Sequence, residues 1–196
     1  MSRKLTLADI ADLRAYERER PAFRAAVIAL KQRRRIELGP LVTVIFENRD
    51  TVRFQIQEMA RIERILTDEA IQTELDIYNP LIPEPGHLCA TLFVELTTDA
   101  EMREWLPKLV GIERSISVRL ADGREVRSRP EAQHETQLTR ESTTAAVHYL
   151  VFPFAPDDVR AAGSGPLTLV CDHPEYHHEQ VLGVATVAEL RADLSA

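Results

Sequence analysis

Residues 45–66, IFENRDTVRFQIQEMARIERIL, constrain this chain most, because an apolar run passes directly into a helical pattern that carries acids among its apolar positions. Placed at about 100° per residue from Val52 onward, Arg53, Gln57, Arg61 and Arg64 fall in one narrow polar arc. The rest of the circumference holds Val52, Phe54, Ile56, Met59, Ala60, Ile62, Ile65 and Leu66, with Gln55, Glu58 and Glu63 embedded among them. Burying those three side chains is costly unless each finds a partner.

The flanks of this stretch read clearly. LVTVIF, residues 41–46, is β-branched and nearly unbroken, as in a strand covered on both faces. Glu47, Asn48, Arg49 and Asp50 then make the strand-to-helix turn, with Asn48 or Asp50 as the cap. Thr67 caps a further helix that carries Asp68 and Glu69 in its first turn and stops before Asn79 and Pro80. NPLIPEPG, with three prolines, is a rigid extended crossing, the kind that forms a wall or lid when it lies beside a site.

Upstream, Thr6 and Asp9 resemble a capping box, and the spacing predicts a helix over residues 7–19. Pro21 interrupts it and opens a second segment in which Phe23, Ala26, Val27 and Leu30 recur at helical spacing, giving a helical hairpin or a kinked helix. It ends in KQRRR, where Lys31, Arg33, Arg34 and Arg35 precede Gly39 and Pro40. These cations either complement a helix C-terminus in water or form a docking patch for an acidic partner or a phosphate.

The second half repeats a pattern. HLCATLFVEL reads as a strand, Thr98 with Glu101 caps a helix, and SISVRLADGREV returns as a strand and hairpin. AAVHYLVFPF, a short helix from Ala155 to near Gly163 and PLTLVCDH repeat strand, helix and strand about 57 residues later. Thr186 with Glu189 caps a last helix. The fold class is α+β: a mixed sheet with packed helices, a helical N-terminal segment and duplicated strand–helix–strand units. The chain is expected to be one domain, 1–196. The alternative is two lobes, 1–128 and 142–196, joined by the polar loop 129–141.

Composition narrows the function classes. Hydrophobic residues at 44% and charged residues at 28% of 196 are those of a soluble globular domain, and a net charge of −7 argues against a general nucleic-acid binder. The two cysteines, Cys89 and Cys171, are far apart and suit a reducing compartment, and neither a membrane span nor a signal-peptide core is present, so the expected location is the cytoplasm. The seven glycines form neither GxxxxGK nor GxGxxG, and there is no nucleophile elbow.

LTLADIADLRAYERERPAF, FENRDTVRFQIQEMARIERI, ELDIYNPLIPEPG, WLPKLVGIER and VHYLVF resemble, over nearly the whole chain, an uncharacterised bacterial family known only as a domain of unknown function. The resemblance carries no catalytic residues. Members of that family tend to be encoded near rubrerythrin-like and iron–sulfur oxidoreductase proteins, which implies an accessory role, as a protein partner, in redox or oxidative-stress chemistry.

Two constellations remain as candidate sites. CDHPEYHHE places Cys171, His173 and His177 close together, donor types that suit zinc or a soft metal, although Pro174 rules out a helix between the histidines and the spacing matches no strong zinc pattern. His148 lies mid-strand among apolar residues; it is either a satisfied core histidine or, facing the helix of residues 52–66, a neighbour of Glu58 or of Glu47 and Arg49. In the second case Arg49, Arg53, Gln55, Glu58 and His148 line a pocket for acid–base chemistry or a small anionic ligand. In the first, Glu58 pairs with an arginine of the N-terminal helices, such as Arg14 or Arg24. No cofactor is expected, and a homodimer is compatible with either reading. Two functions stand: a non-catalytic partner of a redox system, or a small-molecule-binding domain or enzyme with an Arg/Glu/His pocket.

Overall fold

The computed structural model describes residues 3–132, 139–140 and 142–195. Thr6 and Asp9 form the expected capping box, but they close only a single 3₁₀ turn, Leu7–Asp9. The first helix, α1 (Leu13–Arg34), begins at a second cap, where Asp12 Oδ1 accepts from Ala15 N at 2.8 Å. It runs continuously through Pro21, so of the two expected forms the helical hairpin is ruled out. An internal proline removes one backbone bond and costs about 3 kcal/mol, so tertiary contacts must hold α1 together.

β1 (Arg35–Leu38) leaves α1 directly and turns into β2 (Val42–Glu47), all six of whose residues are buried, as its unbroken apolar run requires. Asn48 caps α2 (Arg49–Glu63), its Oδ1 accepting from Thr51 N at 3.0 Å. The helix stops at Arg64, which adopts the left-handed conformation. Thr67 caps α3 (Asp68–Tyr78). The crossing that follows buries Leu81 and Ile82.

Next come β3 (His87–Val94), α4 (Asp99–Lys108), β4 (Ile116–Arg119), β5 (Glu125–Arg127) and β6 (Arg129–Pro130). A two-residue ladder, β7 (Thr139–Arg140) with β8 (Thr143–Thr144), precedes β9 (Val147–Pro153), α5 (Pro156–Ala162), β10 (Thr168–His173), β11 (Tyr176–Val181) and α6 (Val184–Ser195). Within the polar loop expected at 129–141, β6 pairs with β9; residues 133–138 and 141 lie outside the described residues.

The fold is α+β, with all its strands except β7 and β8 divided between two sheets, ordered β1-β2-β3-β9-β6 and β11-β10-β4-β5, and every pairing among the described residues is antiparallel. The duplicated pattern has a geometric counterpart. Each unit crosses from the first sheet to the second through one helix, β3-α4-β4 and β9-α5-β10, and the matching strands lie side by side, β3 on β9 and β4 on β10.

The sheets share one core. Alternate residues of the first sheet, Val44, Phe46, Leu88, Ala90, Leu92, Leu150 and Phe152, meet Ile116, Val118 and Leu169 of the second and Leu190 and Leu194 of α6. At one edge the chain passes from the second sheet to the first at Ser128, whose Oγ donates to Glu113 O at 2.8 Å. At the other edge, Tyr176 of β11 donates to Leu38 O at 2.7 Å and accepts from Leu41 N at 2.9 Å. Gly39 is needed there, because its φ is +74° and a Cβ would stand 2.5–2.6 Å from His178 and the Tyr176 hydroxyl.

α1, α2 and α3 cover the opposite face of the first sheet around a second apolar cluster of Leu5, Val52, Ile56, Leu75, Leu81 and Ile82. Several helical-wheel expectations change here. Gln57, expected in the solvent arc, is fully buried, while Glu63 is exposed along with Ile62 and Leu66 where α2 ends. Thr186 does not cap the last helix; α6 starts at Val184, and Thr186 and Asp193 are buried within it. Nor do the KQRRR cations form an open patch. Arg33 and Arg34 bind Glu189, Arg34 also binds Asp193 at 2.7 Å, and Arg35 reaches Glu95 at 3.2 Å.

Candidate functional site

The five residues grouped from sequence do not converge. Tyr16 of α1 donates to Glu58 Oε1 at 2.7 Å, and Arg20, one helical turn later, clamps both carboxylate oxygens at 2.7 and 2.9 Å. The Arg20 guanidinium holds the Glu58 carboxyl below the usual range against the opposing effect of burial, with the Tyr16 hydroxyl assisting. Glu58 is therefore paired with an N-terminal arginine, but that arginine is Arg20 rather than Arg14 or Arg24. Arg53 reaches Asp9 O at 2.8 Å and Glu19 at 2.7 Å, with its guanidinium 4.7 Å from the centre of the Phe23 ring. Arg49 binds Asp9. Both arginines thus tie α2 to the N-terminal segment.

His148 points away from all of them. Its neighbour in the sheet is Leu92, an inward-facing core residue, so the imidazole lies on the face opposite α2. Its Nε2 lies 2.8 Å from Thr144 Oγ1 and 2.9 Å from Ala145 O. Burial lowers its pKa, partly offset by the charge of Glu113. Contact with Glu58 or with Glu47 and Arg49 is excluded by the sheet itself.

The metal trio is also separated. Cys171 and His173, two residues apart on β10, both point inward. The Cys171 thiol donates to Tyr176 O at 3.1 Å, and His173 uses Nε2 toward Val110 O at 3.0 Å and Nδ1 toward Glu175 N at 3.2 Å. His177 pairs with Asp172 on the other face of the β10–β11 hairpin and is exposed. Among the described residues no group of three His, Cys, Asp or Glu side chains is placed to hold a metal. The Glu-x-x-His spacing used by helix-bundle di-iron proteins occurs three times, at Glu84 with His87 on the entry to β3, Glu131 with His134 and Glu175 with His178. Glu175 and His178 lie on the β10–β11 hairpin, and His134 lies outside the described residues.

A different cavity occupies the helix-covered face of the first sheet. It has a volume of about 240 Å³ and is lined by Glu47, Thr91, Phe93, Val147 and Tyr149 from the strands, Thr51, Val52 and Gln55 from α2, Tyr78 and Leu81 from α3 and the crossing, and Lys31 from α1. Sheet register assembles its floor, since Thr91 pairs with Tyr149 and Phe93 with Val147 across β3 and β9. Glu47 is only 8% exposed, and one carboxylate oxygen accepts from Thr91 Oγ1 at 2.7 Å. No ion pair joins Glu47 to a cation among the described residues. Burial raises the pKa values of Tyr78 and Tyr149, so both keep their hydroxyl protons at neutral pH.

Of the sequence candidates only Gln55 lines this cavity. Glu47 was read as a turn residue and as one of the neighbours open to His148, Lys31 only as a cation of the KQRRR run, and Tyr78, Thr91 and Tyr149 were not singled out. The available signal was a carboxylate closing a nearly unbroken apolar strand. The crossing does supply a wall, through Leu81.

These features define an α+β protein that carries a small, polar-floored cavity between a sheet and its covering helices. Residues 4–194 match the family described as "Protein of unknown function (DUF3501)", and the chain belongs to that family. It is similar to a solved structure described as a "novel protein of unknown function from Burkholderia pseudomallei K96243", with 35% identity, a TM-score of 0.90 and coverage of 98% of this chain and 100% of the other. No curated protein matches the chain. No helix of the described residues is long and apolar enough to cross a membrane.

Proposed function

We propose that this chain is a small-molecule-binding domain whose ligand occupies the cavity between β2, β3, β9 and α2. The observation that carries the reading is Glu47, a carboxylate buried at the cavity wall with a hydroxyl partner but no cation partner among the described residues. A charge held out of water costs several kcal/mol unless something compensates it, and a polar ligand does so. The volume of about 240 Å³ lies just below the roughly 300–1,000 Å³ of pockets for drug-sized ligands. It suits a metabolite-sized molecule rather than a nucleotide.

An accessory role in a redox or oxidative-stress system fits the same reading as its cellular context. Both cysteines are buried, with burial pushing Cys89 up to about 12 and Cys171 up to about 11. Thiols so placed are poor nucleophiles at neutral pH. The contribution to such a system is then made through binding rather than thiol exchange.

Ligand-observed NMR of the full chain with a library of small polar fragments tests the proposal. Fragments that bind wild type and are lost on Val147→Trp, which fills the cavity, are expected. A library that binds both proteins equally, or neither, sinks it.

A further inference from the structure

Resting on that reading of the cavity, we infer that its ligand is a small aliphatic amine with an acceptor group at its far end, bound with the ammonium against Glu47. Three features converge. The Glu47 carboxylate uses one oxygen toward Thr91 and has no cation within ion-pair distance among the described residues, so its charge is available to a ligand. Phe93, Tyr78 and Tyr149 contribute aromatic rings to the same lining. A carboxylate among aromatic rings favours an organic cation, through charge pairing in a desolvated site and attraction to ring faces.

Competing ligand classes fit less well. A phosphate or nucleotide would bring its charge beside Glu47 with only Lys31 as a cation in the lining. A divalent ion needs several hard oxygen ligands, and no three acidic, histidine or cysteine groups are suitably clustered among the described residues. A neutral apolar ligand would leave the Glu47 charge buried and unpaired. Lys31 lines the same cavity without an ion pair to Glu47, which provides a site for a carboxylate or other acceptor at the ligand's far end. Val52, Leu81 and Val147 add apolar wall to the same lining, which suits a carbon chain.

Four probes of matched chain length separate the possibilities: butylamine, butanol, butyrate and 4-aminobutyrate, titrated into the full chain with amide NMR shifts at Thr91, Phe93 and Tyr149 as readout. Butylamine is expected to bind at least tenfold more tightly than butanol or butyrate, and 4-aminobutyrate more tightly still. Glu47→Gln, which keeps an acceptor for Thr91, should remove the preference for amines while leaving butanol binding unchanged. Lys31→Met, on the rim, should reduce 4-aminobutyrate to the affinity of butylamine and leave butylamine itself unaffected. If butanol or butyrate shifts these signals as strongly as butylamine does, the amine assignment is wrong and the cavity still binds ligands. If none of the four shifts them while the fragment library also fails, the cavity reading falls with it.

Discussion

The Tyr16 hydroxyl and the Glu58 carboxylate meet at 2.7 Å across the α1–α2 interface, and Arg20 closes the same carboxylate from the next turn of α1. This triad sits in a ladder with Arg53–Glu19, Arg61–Glu17 and the edge-to-face Phe23–Phe54 pair, which together fasten α1 to α2 on both sides of Pro21. Hydrogen bonds to a charged group contribute about 1.5–3 kcal/mol each. Tyr16→Phe and Glu58→Gln are each expected to lower unfolding free energy by about 1–2 kcal/mol in urea titrations. The Glu58 pKa is lowered by folding, so its contribution is complete above the unfolded carboxylate value and disappears as pH falls through the folded one. Acid titration should therefore narrow the gap between wild type and Glu58→Gln. A gap that is constant from neutral pH to pH 3 would show that the carboxylate charge does not matter.

Two side-chain amides act as short stretches of backbone. Gln57 accepts from Ala11 N at 2.8 Å and donates to Ala11 O at 3.2 Å, while Asn79 accepts from Leu5 N at 2.8 Å and donates to Leu5 O at 2.9 Å. They fasten the N-terminal segment over α2 and α3. Each pair of neutral bonds is worth about 1–2 kcal/mol net. Asn79→Ala should speed hydrogen exchange at the Leu5 amide about tenfold or more, and Gln57→Ala should do so at Ala11, each leaving the other site protected. Loss of protection at both sites from one substitution would mean the segment is held as a single unit instead.

Arg34, with its side chain 2% exposed, joins Asp193 and Glu189 across the α1–α6 contact, and its Nε has no hydrogen-bond partner among the described residues. Removing one member of a buried ion pair strands the other, at about 3–5 kcal/mol, whereas replacing both with apolar groups is far milder. Asp193→Ala should therefore cost about 3–5 kcal/mol. The double variant Arg34→Met with Asp193→Leu should recover at least half of that in the same denaturation assay. If the two substitutions simply add, the pair is not a desolvated unit.

Local chemistry was legible in the sequence where a feature depends on neighbours in the chain. Asn48, Thr67 and the Thr98–Glu101 pair cap the helices assigned to them, and VTVIF, residues 42–46 of the expected strand, lies in a fully buried one. Features that depend on which face of a sheet a residue occupies were not. His148 differs from its neighbours Val147 and Tyr149 by one place, and that place puts it in the inter-sheet core while they line the cavity. The same alternation parts His177 from Cys171 and His173. One residue of register exchanges the two faces, and register is set by distant pairing partners such as Leu92 for His148. Arg20 was hidden by the expected break at Pro21, which put the wrong turn of α1 opposite Glu58.

His148 gives the structure a pH dependence of known sign. Folding lowers its pKa, chiefly because burial disfavours the imidazolium, with Glu113 the acid that opposes the shift and Thr144 and Ala145 at hydrogen-bonding distance from Nε2. For a base with a depressed folded pKa, the unfolded chain binds the proton first. Its stability contribution is therefore complete above the unfolded value of about 6.5 and is lost as pH falls from there through the folded value. One such group changes unfolding free energy by at most about 1.4 kcal/mol per pH unit. Urea titrations of wild type between pH 7.5 and pH 5 should show a loss of stability that His148→Gln, though less stable at neutral pH, does not share. The two proteins should converge on acidification. Parallel pH profiles for wild type and variant would place the titrating group elsewhere and remove His148 from this role.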